Sequence, residues 1–350
     1  MEITQGRIDA VDGDGMWQKL CDFPKHWSES MKLTSNLEWT LEKERIHNVC
    51  FSGMGGSAIG ADLLKGYAVQ QTPVPVELIR DYNLPAWVDS KTLCVCCSYS
   101  GNTEETLAAF HKAREKGAQI VVITSGGKLL VEASREGLDY VKLPSGFSHR
   151  AALGHSFVPL FRLFQHLGYL SEGDEALEET ADLLNRQVTL FSQFEANPAL
   201  SLALELTDTL PVIYSGSGMM HAVNLRWRTQ LEENAKTLSF GNQLPEMTHN
   251  EIVGWDQIAH LTGRLSVIFL QDREDDLRVQ QSVEIIMDLI RDHTVHTASI
   301  QTSGNSRLAR QFSLVQMGDW TSLYAALLQG TNPTPVAKIE LLKSRLADLP

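Results

Sequence analysis

The sequence predicts an α/β protein of two doubly wound parallel-sheet domains related by internal duplication. Three observations predict it. From Ile46 onward, apolar strand-like runs alternate with helical ones. An apolar run closed by a glycine turn, HNVCFSGMGG, returns about one domain later as TLPVIYSGSGMM. The 350 residues, 43% of them hydrophobic and 21% charged, suffice for two cores of ordinary size.

Residues 1–45 lack strand signals and break at Gly13–Gly15 and Pro24, which predicts an N-terminal helical arm. The first domain, 46–150, reads as strand HNVCFSG, helix SAIGADLLKGYAV, strands PVPVELIR and TLCVCCS, helix TEETLAAFHKAREKG, then strands QIVVITS and DYVKLPS. Residues 151–208 carry few turn signals and predict connecting helices. The second domain, 209–350, opens on the repeated strand and glycine turn. It continues with helix LRWRTQLEENAKT, polar segment GNQLPEMTHNEIVGW, strand RLSVIFLQD, helix VQQSVEIIMDLIRDH and strand VHTASIQT. SLYAALLQ and PTPVAKIELLKSRLADL close the chain as helices.

Thirty basic residues against 43 acidic ones give a formal charge of −13, which argues against nucleic acid and anionic membranes as partners. An anionic small molecule would have to be held locally, by helix N-termini and backbone amides. Of five cysteines, Cys94, Cys96 and Cys97 fall in one apolar run, LCVCC, which reads as a buried strand of reduced thiols; the spaced second pair of a zinc site is missing. No apolar stretch is long enough for a membrane helix, and MEITQGRIDAVDGDGMW carries no targeting pattern, so a cytoplasmic protein is expected.

Gly53, Gly55 and Ala58 satisfy the dinucleotide fingerprint, with Glu77 near the place of a ribose-binding acid. Three details favour a monophosphate instead. Ser57 stands at a helix start, where a hydroxyl, free N–H groups and the positive helix end suit a compact anion. The strand TLCVCC ends in a second hydroxyl-rich turn, SYSGNTEET, with Ser98, Ser100, Thr103 and Thr106, which would face the same crevice. The prolines around Glu77 leave its strand register open. The bland alternative for the second turn is a helix N-cap.

GMGGSAIGADLL together with SYSGNTEETL resembles the sugar isomerase (SIS) domain, and EENAK followed by PEMTHNEIVGW resembles the bifunctional phosphoglucose/phosphomannose isomerases of archaea and bacteria. The resemblance spans both α/β units and the C-terminal helix but not the N-terminal arm. It implies two SIS-type, flavodoxin-like domains and a homodimer that isomerises sugar phosphates without metal or cofactor. It also implies a phosphate site on Gly55, Gly56, Ser57, Ser98, Ser100 and Thr103.

Aldose–ketose isomerisation needs ring opening, a base that carries a proton between C2 and C1, and a charge that steadies the enediolate. On a helix, Glu232 lies four residues from both Arg228 and Lys236 and reads as a salt-bridge residue, whereas Glu233 is less well explained that way. The family's essential glutamate, the one before Asn, corresponds to Glu233. THNE matches a capping box with Thr248 as N-cap and Glu251 at N3, which would put His249 in a first helical turn and hold its ring neutral. By resemblance His249 opens the ring from the neighbouring subunit. Arg150 falls at a helix start, where a cation is unfavourable, and the family uses an arginine in such an RAAL stretch on the enediolate; its neighbour His149 reads as incidental. By resemblance Lys338 assists ring opening and Thr331 leaves room for rotation about C2–C3, so that mannose 6-phosphate is a second substrate; Thr334 and Lys343 are near alternatives. The competing readings are a non-catalytic sugar-phosphate sensor, another phosphosugar isomerase and a dinucleotide-dependent oxidoreductase.

Overall fold

The computed structural model describes residues 3–261 and 263–347. The N-terminal arm folds as α1 (Gln5–Val11), α2 (Met16–Cys21) and α3 (Phe23–Thr34). It is part of the shared core. Trp27 is fully buried and its Nε1 donates to the Leu177 carbonyl at 3.0 Å, while Arg7 Nε donates to the Leu327 carbonyl at 2.9 Å.

The first sheet contains β1 (Asn48–Gly53), β2 (Val76–Ile79), β3 (Thr92–Cys97), β4 (Gln119–Thr124) and β5 (Asp139–Lys142) in the order β2-β1-β3-β4-β5, all parallel. All five are strands that the sequence predicts. Between them run α4 (Gly55–Ala68), α5 (Glu104–Glu115) and α6 (Gly127–Arg135). β3 is buried along its whole length, which is why LCVCC carries no polar alternation. All five cysteines are free thiols, and Cys50 Sγ lies 3.0 Å from Cys94 Sγ across the sheet.

α7 (Leu153–Leu167), α8 (Asp174–Phe191) and α9 (Pro198–Leu206) follow, as the helical composition of this stretch predicts. The second sheet has β6 (Leu210–Gly216), β7 (Phe240–Leu244), β8 (Leu265–Gln271) and β9 (His296–Gln301) in the order β7-β6-β8-β9, again parallel. With β6 matched to β1, this is the order of the first sheet less its last strand, as duplication requires. β7 lies in the segment that reads as polar loop: its residues FGNQL pair along an edge and carry no apolar alternation.

α10 (Met219–Gln230), α11 (Glu251–Gly254), α12 (Leu277–Ile290), α13 (Arg307–Gln329) and α14 (Ala337–Ala347) complete the chain. The sequence reading recovers only the end of α13, as SLYAALLQ. The helix is 23 residues long and buried from Leu308 to Leu328, packed on α8, α9 and α10. Arg310, Gln311, Gln316 and Asp319 interrupt its apolar pattern and are buried all the same. Among the described residues, no helix is long and apolar enough to cross a membrane.

Candidate active site

In the first sheet the chain leaves β1 and β3 in opposite directions, so a crevice opens at their C-terminal ends. Two helices point their N-termini into it. α4 starts at Gly55, whose φ of +49° a side chain would strain, and its N-cap residue Met54 offers no side-chain acceptor. Gly56 is required by packing: a Cβ there would lie 2.9 Å from the His149 carbonyl carbon. α5 starts after Thr103, whose hydroxyl does not cap the helix but meets Ser98 Oγ at 2.9 Å. The plain N-cap reading of this turn therefore fails, and the amides of the first turn of α5 are left for another acceptor.

The hydroxyls are preset as outward donors. Ser57 Oγ accepts from Tyr99 N at 2.9 Å, Ser98 Oγ from Gly101 N at 3.1 Å and Ser100 Oγ from Asn102 N at 3.3 Å. Each oxygen thus has a backbone donor; the Ser57 and Ser100 protons remain to be given, while the Ser98 and Thr103 hydroxyls share one bond and keep one proton between them. Glu77 is in the middle of β2, opposite Cys50, and pairs with Lys65 at 2.9 Å on the exposed side. The acid of the dinucleotide reading is therefore engaged away from the crevice.

Beside the cradle lies a cleft of about 90 Å³ lined by Gly55, Gly56, Arg80, Arg150, Arg226 and Glu233. Arg150, only 5% exposed, follows β5 in a short 3₁₀ turn, His149–Ala151. Its Nη1 donates to Glu233 Oε2 at 3.2 Å, its Nε to Asn234 Oδ1 at 2.7 Å, and its Nη2 to the carbonyls of Pro333 and Thr334 at 2.6 and 2.8 Å. Four of its five N–H donors are thus used, and the fifth sits on the atom that meets Glu233. Burial lowers the Arg150 pKa and the Glu233 carboxylate opposes that shift.

Glu233 sits on a π turn, Leu231–Ala235, that ends α10 and closes on Lys236 in the left-handed conformation, φ +58°. This widened turn is how LEENA differs from the regular helix that the sequence predicts. Among the described residues the hydrogen bonds of Glu232's expected partners go elsewhere: Arg228 Nε donates to Asn224 Oδ1, and Lys236 Nζ to the carbonyls of Glu233 and Pro333. The turn buries Asn234 and leaves the Glu233 side chain 27% exposed on the cleft.

The SIS domain family matches residues 44–144, and the bacterial phospho-glucose isomerase C-terminal SIS domain matches residues 195–346. The chain is 42% identical to a bifunctional phosphoglucose/phosphomannose isomerase of Caldicellulosiruptor bescii, over 95% of this chain and 99% of that protein. The chain belongs to this family of isomerases. A bifunctional phosphoglucose/phosphomannose isomerase of Aquifex aeolicus is 35% identical over 85% of this chain and 90% of its own. A tagatose-6-phosphate ketose/aldose isomerase from Escherichia coli superposes with a TM-score of 0.70 at 15% identity, covering 91% of this chain and 94% of that one, and so bears on the fold alone.

The remaining residues that the isomerase resemblance singles out do not all meet in one chain. His249 is exposed and is not among the residues that line the cleft. The expected capping box around it is absent: Thr248 Oγ1 donates to the Pro245 carbonyl, Asn250 caps α11, and Glu251 is held by Tyr214 and Asn242. His249 ends a 3₁₀ turn, Glu246–His249, and does not stand in the first turn of a helix. Lys338, on exposed α14, makes no ion pair or hydrogen bond among the described residues, whereas burial lowers the pKa of His149 and the charge of Lys343, on the same helix, adds to that shift. Thr331 follows α13, while the carbonyl of Thr334 is the one that reaches Arg150.

Arg226, Asp319, Asn234 and Arg80 escape a reading by sequence. Arg226 donates to Asp319 at 2.7 and 2.9 Å, both nearly fully buried, and to the Arg150 carbonyl at 3.0 Å. A lone Asp inside the apolar run VQMGDWTSL is the available signal, because a buried carboxylate requires a partner. His149, which reads as incidental, lines a small pocket with Gly56, Ser57, Ser98 and Tyr99.

Proposed function

We propose that the chain interconverts glucose 6-phosphate and mannose 6-phosphate with fructose 6-phosphate by a metal-independent cis-enediol mechanism, as a cytoplasmic homodimer. The observation that carries it is the Glu233–Arg150 pair at 3.2 Å on a cleft that shares Gly56 with the hydroxyl-lined cradle. A phosphate fits the cradle of Gly55, Gly56, Ser57, Ser98, Ser100 and Thr103, where two helix ends and donated hydroxyl protons meet. The open-chain sugar then extends toward Glu233.

Glu233 takes the C2 proton as the C1 carbonyl becomes the enediolate. Arg150, held on three other acceptors, presents a fixed positive charge to the developing oxyanion. The O2 hydroxyl proton passes to O1 as C2 becomes the ketose carbonyl, and Glu233 returns its proton to C1, so that no atom or electron leaves the substrate. His249 of the neighbouring subunit and Lys338 open the ring, and the small Thr331 lets either C2 epimer reach the same enediol. In this reading 46–150 is the phosphate-binding domain, 209–350 brings the base, and 1–45 and 151–208 brace the two.

The test is formation of fructose 6-phosphate from glucose 6-phosphate, and separately from mannose 6-phosphate, in the presence of EDTA. Comparable rates on both are expected. Turnover of the glucose ester alone removes the epimer argument and Thr331 with it. Binding without turnover of either makes the protein a sugar-phosphate sensor and ends the proposal.

A further inference from the structure

Arg150 reaches Glu233 from a segment with little support of its own. Leu143 N donates to the Thr124 carbonyl as β5 ends, and Arg226 holds the Arg150 carbonyl. Between these anchors, apart from the segment's own turns, the hydrogen bonds among the described residues come from one side chain. The Tyr99 hydroxyl donates to the Pro144 carbonyl at 2.8 Å and accepts from Phe147 N at 3.0 Å. The Tyr99 ring packs against His149, centroids 5.4 Å apart, and is 8% exposed.

The backbone of Tyr99 belongs to the cradle. Its N–H donates to Ser57 Oγ, and its carbonyl accepts from Ser125 N at 3.0 Å and Ser125 Oγ at 2.6 Å. One residue therefore joins the turn after β1, the turn after β3 and the segment that delivers the arginine. Burial raises the phenol pKa, so the hydroxyl keeps the proton it gives to Pro144 at neutral pH.

We infer that Tyr99 is a positioning residue, whose hydroxyl fixes the 144–149 segment and through it the Arg150 guanidinium at Glu233. The inference rests on the isomerase reading above for its kinetic consequence but not for its structural one. Tyr99→Phe removes a single oxygen and keeps the ring and the backbone bonds. It is expected to lower kcat about tenfold, the loss of one partly buried hydrogen-bonding site, with KM for the sugar phosphate within about twofold because the cradle is intact.

In an Arg150→Lys background the same substitution should cost less than about twofold, since its effect passes through the arginine. Additive losses in the double variant, or a rise in KM with kcat kept, would overturn the inference. Amide hydrogen exchange decides without activity: peptides covering 144–150 should exchange at least about tenfold faster in Tyr99→Phe, with those of β1 and β3 unchanged. Unchanged exchange there also overturns it, whatever the protein is found to catalyse.

Discussion

At the C-terminal end of the first sheet, the glycine turn after β1 faces the hydroxyls of Ser98, Ser100 and Thr103 after β3. At the same place in the second sheet, the turn Gly216–Gly218 after β6 faces Asp272, Glu274, Asp275 and Asp276 after β8. The second crevice is larger, about 470 Å³ against about 90 Å³ for the cleft at Glu233, and the N-terminus of α10 points into it uncapped by any side chain. Yet Asp275 Oδ1 lies 2.7 Å from where a Cβ on Gly216 would stand, and the two lining arginines, Arg307 and Arg310, are outnumbered by the four acids. Strand order makes a crevice in both sheets, but the side chains of the turns after β3 and β8 set the charge that an anion would meet there.

The comparison is sharpened most by Glu233→Gln, which leaves both crevices intact. It should lower kcat about 10³-fold, within the range for loss of a general base, with little change in KM. Near-normal turnover would detach the chemistry from the first crevice.

Gly56→Ala against Gly216→Ala comes next. The first would push a methyl into the backbone at His149 and Arg150, overpacking that costs about 1–3 kcal/mol and, where it falls on the site, about a 5- to 140-fold loss in kcat/KM. The second would meet the Asp275 carboxylate, which accepts from Asp272 N and does not line the cleft at Glu233, and should leave kcat/KM within about twofold. Equal losses would erase the distinction.

Ser57→Ala and Ser98→Ala should each raise KM about tenfold, as expected of a hydrogen bond to a charged group, while Ser217→Ala in the second turn should not change it. Competition by inorganic phosphate checks the same point without turnover.

The smallest expected effects are on stability, and their signs are opposite. Burial and the neighbouring His26 hold His155 at about 4, below the ordinary 6.5. The unfolded chain therefore binds the extra proton first, and the stability the neutral ring contributes is full above pH 6.5 and lost as pH falls toward 4. Burial raises Asp275 to about 6 from 3.8. There the native state binds the proton first, and the stability contributed in acid is lost as pH rises from about 4 to 6. Denaturant midpoints should show His155→Leu flattening the acid-side decline and Asp275→Asn gaining about 1 kcal/mol at pH 7, discounted for its partial exposure.

The parts of this molecule that were legible are those with local causes. β1 to β5 announce themselves by apolar runs, and Gly55 by a backbone turn that other residues resist. β7 was hidden because an edge strand needs no apolar alternation. Most of α13 was hidden because Arg310 and Asp319 look like surface residues until their partners, Asp272 and Arg226, arrive from other elements. The capping box at Thr248 was a local signal that tertiary contacts overrode: Glu251 does better with Tyr214 and Asn242 than with the helix end.

By itself, then, the sequence determined two α/β units, their glycine turns and the hydroxyl-bearing loop, since spacing and glycine conformation act within a few residues. Tertiary structure alone decided that Arg150 meets Glu233 across 83 residues of chain, that a π turn presents the carboxylate, and that Thr334, not Thr331, touches the arginine. A buried guanidinium must find acceptors wherever the fold brings them, and no spacing rule names them in advance.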